Sequence, residues 1–303
     1  MQSLWMVVSA LFFAFYAVFV KLAGLDGISS FEVLFYRSIF GLVVFSLMMH
    51  RKGIGFTTRY PFDHGLRSFV GAGAILAGIY SISHLNIGLA MTLNYTSPLF
   101  LGCFAIATAI RTHGQINWKL LSTLILGFGG VVTMLSPTIA PHEYGAALVG
   151  LSAGFCTSVA VSFVKRLGIK KEPELRILFY FVLVGMVTGL VGTFITGGFH
   201  APSMAGWCYL LGISVTATCA QFCLTRAFSR GNIVLSGALQ YTVILFSTVM
   251  GEIVFAEPVT IPVVIGMIII VVTGILASLL TRKEQKKASE HIKERQRRAG
   301  MKV

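Results

Sequence analysis

Apolar residues run in long blocks along this chain, and the polar residues collect in the gaps between them. Neither the helical nor the strand period of a water-soluble fold is visible. Ten blocks reach or approach the ~20 residues that carry a helix across a bilayer. They are Ser3–Leu22, Phe31–Met49, Ser68–Leu85, Gly88–Ile110, Leu120–Leu135, Tyr144–Val164, Ile177–Thr196, Ala205–Thr225, Ile233–Val254 and Ile261–Leu280. The fifth is short, and almost nothing separates the third from the fourth. Each is apolar all round without two-residue alternation, which predicts helices and excludes a β-barrel. The first block lacks the basic flank and cleavage site of a signal peptide, so it is expected to stay in the mature chain. Only the tail from Arg282 to Val303 is soluble in character. The expectation is an all-α integral membrane protein with ten transmembrane helices.

Composition agrees. Of the 303 residues, 55% are hydrophobic and 12% charged, with a mean hydropathy of +0.82. A soluble protein carries about 25% charged residues, so this chain cannot cover a water-facing surface. The net charge of +13 could suggest nucleic acid, but its distribution points elsewhere. With the amino terminus inside, every one of the 24 Lys and Arg residues except Lys21 and Arg37 falls in an inner loop or the tail. Positive residues favour the cytoplasmic face, so both termini are expected there, in an inner (plasma) membrane of bacterial type. Trp5, Trp118 and Trp207 all fall near block ends, where indole suits the headgroup zone. The basic tail reads as an anchor touching anionic lipid, with no nucleic-acid role.

The two halves repeat each other. Phe19-Val20-Lys21 returns as Phe163-Val164-Lys165 and Leu34-Phe35-Tyr36 as Leu178-Phe179-Tyr180, both 144 positions later. Tyr95-Thr96 matches Tyr241-Thr242 and Leu99-Phe100 matches Leu245-Phe246, both at 146, while Gly130 and Gly274 return to 144. Five blocks per half is an odd number, so the second copy enters the membrane from the opposite side. Residues 1–137 and 141–281 are thus expected to form a 5+5 inverted-topology repeat, the arrangement of secondary transporters, with 282–303 as a cytoplasmic tail.

The fourth block's Leu93-Asn94-Tyr95-Thr96-Ser97-Pro98-Leu99-Phe100 resembles the signature of the EamA-like branch of the drug/metabolite transporter superfamily. Leu34-Phe35-Tyr36-Arg37, Phe19-Val20-Lys21, and Phe255-Ala256-Glu257 followed by Gly266 and Gly274 are similar to that branch as well. The resemblance implies ten helices around a central cavity lined by spans one, three, four, six, eight and nine. It also implies a small-molecule substrate, drawn from amino acids, nucleotide-derived metabolites, vitamins or drugs, moved by alternating access. In the family an acidic residue often follows the fourth span as Glu257 follows the ninth; here Arg111 stands near that place.

Arg37 is the sharpest candidate, because an arginine inside a span costs about 2.5–3.5 kcal/mol on insertion scales. Either it faces the pathway and binds an anionic group, or it pairs with Glu32 or Asp26 at the outer surface. Asn94 with Gln240, and Tyr95 with Tyr241, form repeat-related polar pairs suited to holding a ligand from both halves. Interhelical hydrogen bonding is the alternative. Tyr80 and His84 lie one turn apart on one face, and His84 offers either a proton site or a helix-end hydrogen bond. Tyr16, in the Phe-rich first span, and Gln221 complete the substrate-binding set. Glu252, near the outer end of the ninth span, is a gate candidate. No carboxylate lies at the centre of a span, which favours facilitated diffusion or exchange over a proton or sodium motor.

No phosphate-binding Gly-rich loop with Lys-Ser/Thr and no HExxH-type motif occurs, so neither an ATP-driven pump, a metal site nor another cofactor is expected. The five cysteines read as small apolar filling. The Gly150/Gly154 and Gly185/Gly189 pairs allow close helix approach, within a monomer or across a homodimer.

Overall fold

A computed structural model describes residues 4–113, 118–135, 140–230, 236 and 239–298; of the side chains from Thr281 onward nothing is described. Eleven α-helices are present among the described residues: α1 Trp5–Leu25, α2 Ser30–Arg51, α3 Pro61–His84, α4 Ile87–Asn94, α5 Ser97–His113, α6 Trp118–Leu135, α7 Tyr144–Ile169, α8 Glu174–Ile195, α9 Met204–Arg230, α10 Thr242–Phe255 and α11 Ile261–Arg298. A 3₁₀ turn at Pro141–Glu143 leads into α7. No strand occurs among them.

Among the described residues, seven stretches are long and apolar enough to cross a membrane: α1, α2, α3, the broken stretch Ile87–Phe104, α7, α8 and Met204–Phe228 of α9. Trp118–Thr133, Thr242–Phe255 and Ile261–Ala277 are shorter apolar helices. The fold is that of a multi-pass membrane protein. Large apolar side chains such as Ile125, Leu126, Val132, Ile253 and Ile268 stand exposed on its outside, as a lipid-facing surface requires.

Helix ends follow local chemistry. Ser29 caps α2 through the Glu32 N–H while the Glu32 carboxylate accepts from the Ser29 N–H, a reciprocal capping box. Proline at the first position of α3 lacks the N–H that would otherwise be orphaned there. The third block consequently begins at Pro61, seven residues before the expected Ser68, and Arg67 lies inside a helix instead of in a loop.

The fourth block also departs from expectation. It is not one helix: α4 ends at Asn94, and α5 starts at Ser97 after a break at Tyr95–Thr96. Gln240 and Tyr241 likewise form a turn just before α10, 146 positions after Asn94 and Tyr95.

The core is built by pairs of helices. α1 packs along α9, and α3 packs along α7; α2 lies against α8, and α6 against α11. Small residues permit these approaches. Gly189 sits against the Phe35 backbone, where an added Cβ would stand 2.6 Å from its nitrogen. Gly150 faces Ser81 and Gly154 faces Thr96 and the Leu93 carbonyl. Both glycine pairs singled out in the sequence therefore serve packing within the chain.

Candidate functional site

The polar residues of the interior gather at three levels. The middle level is formed by α1, α2 and the two helix breaks. Tyr16 is buried on α1, and its hydroxyl accepts a hydrogen bond from Arg37 Nη1 at 3.2 Å. The guanidinium also lies 5.3 Å from the Tyr16 ring centroid. Arg37 is only 5% exposed. Neither carboxylate expected as its partner pairs with it among the described residues. Glu32 is held by Ser29 and by the His200 N–H at 2.7 Å, and Asp26 accepts from Ser203 at 3.0 Å.

Tyr95, at the first break, is half-buried against the core that contains Tyr16. Asn94 turns its amide over Gly78 of α3, and its Oδ1 is buried without a hydrogen-bond partner among the described residues. Gln240 and Tyr241 are buried at the second break. The Tyr241 hydroxyl lies against Gly274 of α11 and has no hydrogen-bond partner among the described residues. Gln221 is half-buried on α9.

The remaining candidates lie apart from this group. Tyr80 and His84 are exposed and satisfy each other: His84 Nδ1 is 2.8 Å from the Tyr80 carbonyl, and the rings stack at 4.1 Å. Glu252 is exposed near the end of α10.

At one end of the bundle, five residues beyond Glu252, lies Glu257. It forms an ion pair with Lys21 of α1, whose Nζ also donates to the Leu85 carbonyl at 2.9 Å. The second carboxylate oxygen accepts from the Ile87 N–H at 2.8 Å. That N–H opens α4, so Glu257 caps a helix distant in sequence, where the helix dipole also favours negative charge. Ala256 adopts a left-handed conformation (φ 51°) that ends α10 and turns Glu257 back toward it. Asn86, Gly88, Thr248, Glu143 and Glu257 border a small cavity of about 80 Å³ beside this latch.

At the opposite, basic end, Glu172 gathers Thr58 Oγ1 (2.8 Å), Arg176 Nη1 (3.0 Å) and His64 Nε2 (3.2 Å) on one oxygen. Burial pushes its carboxyl up, but these donors outweigh burial and hold it below the ordinary carboxylate range. Asp63 pairs with Lys170 at 2.5 Å and Arg166 at 3.4 Å. Arg176 and Tyr180 further bind the carbonyls of Gly55 and Phe56. The α2–α3 connection is thereby tied to the α7–α8 connection. Arg67 lies above this network, over the Phe181 ring at 3.8 Å.

Glu257, His64, Glu172 and Arg67 were not among the candidates named from the sequence, and the structure places them in these buried polar clusters. Glu257 carried a signal in its place after the ninth block. Arg67 carried one in Pro61, which marks a helix start well before it.

Comparison with known proteins agrees with this architecture. The chain is 26% identical to the pseudopaline exporter CntI of Pseudomonas aeruginosa, covering 82% of this chain and 85% of that one. It is 22% identical to a riboflavin transporter of Brucella anthropi, over 76% and 81% of the two chains. A solved crystal structure superposes with a TM-score of 0.66 at 16% sequence identity, covering 93% of this chain and 98% of the other, and shares its fold. The EamA-like transporter family model matches twice, over residues 1–136 and 145–279. With nearly its whole length matched, the chain belongs to the EamA-like transporter family.

Proposed function

We propose that this protein is a secondary transporter that moves a small polar or amphipathic organic metabolite across a bacterial inner membrane by alternating access, as an exchanger or facilitator. The observation that carries the reading is the pair of repeat-related helix breaks, at Tyr95–Thr96 and Gln240–Tyr241. Breaks in corresponding membrane segments mark the substrate site of inverted-repeat carriers, because freed backbone is tolerated only where protein or a cavity receives it. In this reading Tyr16, Asn94, Tyr95, Gln221, Gln240 and Tyr241 line the path, and Tyr80 and His84 lie at its outer mouth.

Ten spans arranged as two inverted five-helix halves, 1–137 and 141–281, account for the packing. Inversion relates α1 to α7 and α3 to α9, and it is α1 with α9 and α7 with α3 that pack together. The self-related pairs α2 with α8 and α6 with α11 are also in contact. The basic end faces the cytoplasm with both termini, and residues 282–303 meet anionic lipid there, the chain working as a monomer or homodimer. The Lys21–Glu257 latch forms the outer gate, and the Glu172 and Asp63 clusters form the inner one.

The latch also favours a second reading, proton-coupled efflux, because a largely buried carboxylate is the kind of group such carriers use. Reconstituted vesicles loaded with a metabolite panel test both readings. Saturable flux accelerated by substrate on the far side supports a carrier, and flux driven by an imposed pH gradient supports coupling. Linear, unsaturable leakage would indicate a channel, and product formation without net movement an enzyme.

A further inference from the structure

Arg37 and Arg67 are both buried, at 5% and 6% exposure, and neither forms an ion pair among the described residues. Each sits about 10 Å along its helix at 1.5 Å per residue, Arg37 from the Glu257 end of the bundle and Arg67 from the basic end. The neighbouring carboxylates bond to other groups. Glu32 and Asp26 serve His200, Ser29 and Ser203. Asp63 serves Lys170 and Arg166, and Glu172 serves Thr58, His64 and Arg176. Among the described residues, Arg67 Nε and Nη1 are fully buried with no hydrogen-bond partner, and the side chain that accepts from Arg37 is the neutral Tyr16 hydroxyl.

The two arginines are also related to each other. Phe181 stands 144 positions after Arg37, the repeat offset, and Phe181 is the ring on which Arg67 lies. Arg67 therefore lies on the side chain that takes Arg37's place in the second half, and one buried guanidinium stands toward each end of the bundle.

A buried cation is expensive unless an anion compensates it. A guanidinium is built for that task, offering two parallel N–H groups to one carboxylate or phosphate. Tyr16 adds a hydroxyl that accepts from Arg37 and keeps its own proton to donate. Phe181 holds Arg67 by its flat face and leaves the guanidinium edge free.

Resting on the transporter reading above, we infer that the cargo is a small organic anion carrying a carboxylate or phosphate. Arg37 receives it when the path opens at the Glu257 end, and Arg67 receives it when the path opens at the basic end.

The test uses the purified full-length chain in phosphatidylcholine vesicles loaded with an aqueous bacterial metabolite extract, with the solutes that leave identified by mass spectrometry. The expected result is selective loss of carboxylates and phosphates, accelerated by an imposed potential that pulls negative charge outward. R37Q and R67Q are each expected to cut that flux by about tenfold or more, while R37K and R67K, which keep the charge and guard against misfolding, retain part of it. Selective export of neutral or cationic solutes, or anion export unchanged in R37Q and R67Q, overturns the inference and leaves the transporter reading standing. If nothing leaves beyond the leak of protein-free vesicles, with or without phosphatidylglycerol and with buffer or unlabelled extract outside, the transporter reading fails and the inference with it. Arginine-dependent flux that appears only in vesicles containing phosphatidylglycerol assigns the anion to a lipid headgroup and overturns the cargo assignment.

Discussion

Lys21 of α1 and Glu257, the second residue after α10, form an ion pair across 236 positions of sequence. Both are largely buried, at 17% and 9% exposure, and the carboxylate also caps α4 through the Ile87 N–H. Removing one member of such a pair strands the other charge, at a cost of about 3 kcal/mol or more, whereas replacing both by apolar groups is far less harmful. Lys21→Met and Glu257→Leu should each lower thermal stability in detergent clearly, and the double variant should recover much of the loss. Additive losses in the double variant would show that the two side chains act independently.

Glu172 ties the basic end together, and its behaviour with pH is fixed in sign. Its carboxyl is held below its ordinary value of 4.5 in the folded chain. The unfolded chain then binds the proton more readily, so the cluster's contribution is present above about pH 4.5 and is lost as pH falls below that. Thermal unfolding followed from pH 7 down to pH 3 should weaken more steeply in the parent chain than in Glu172→Gln. Parallel curves would remove Glu172 from any account of acid sensitivity.

The sequence alone makes most helices legible, because blocks without charge leave few alternatives in a membrane. What it conceals is where the blocks are interrupted. Leu93 to Phe100 lies inside one long block, and its only local mark of interruption is Pro98, which lacks the N–H that would bond back across Tyr95–Thr96; Gly154 of α7 packs against that break, at Thr96 and the Leu93 carbonyl. The charged partners were hidden for a related reason. Lys21 and Glu257, like His64 and Glu172, meet through tertiary packing, and no local period records a partner more than a hundred positions away. Burial separated the candidates further: Arg37 lies inside, while Tyr80 and His84, equally suggestive by spacing, are exposed.

Gly154→Ala should disturb that break. A methyl group there would collide with Thr96 Oγ1 and lie 2.9 Å from the Leu93 carbonyl oxygen. Overpacking of this kind typically costs about 1–3 kcal/mol. Gly145→Ala, where nothing lies within 4 Å of the added carbon, is the control on the same helix and should be nearly silent. Equal unfolding temperatures for the two variants would mean that α7 shifts freely to make room.

Asn94 and Gln240 test the path itself. Asn94 presents a buried Oδ1 with no partner, and Gln240 is buried at the matching break. Replacing either with alanine should reduce saturable flux by about tenfold, the loss of a good ligand hydrogen bond or two, with little change in the unfolding temperature. Wild-type flux in both variants would remove these amides from the substrate path, and a fall in stability matching the fall in flux would mark them as packing residues.

Tyr16→Phe isolates the contact between α1 and α2. The substitution preserves the ring beside Arg37 and removes only the hydroxyl that accepts its N–H at 3.2 Å. Hydrogen bonds to charged groups contribute about 1.5–3 kcal/mol, and the loss is felt most where the charge cannot reach water. Tyr16→Phe should therefore destabilise the parent chain by about 1.5 kcal/mol but leave Arg37→Gln nearly unchanged, because the glutamine carries no charge to strand. The double-mutant cycle measured by thermal or denaturant unfolding gives the coupling directly. A coupling near zero would mean that water or the cargo already satisfies Arg37, and that Tyr16 serves it only as a wall.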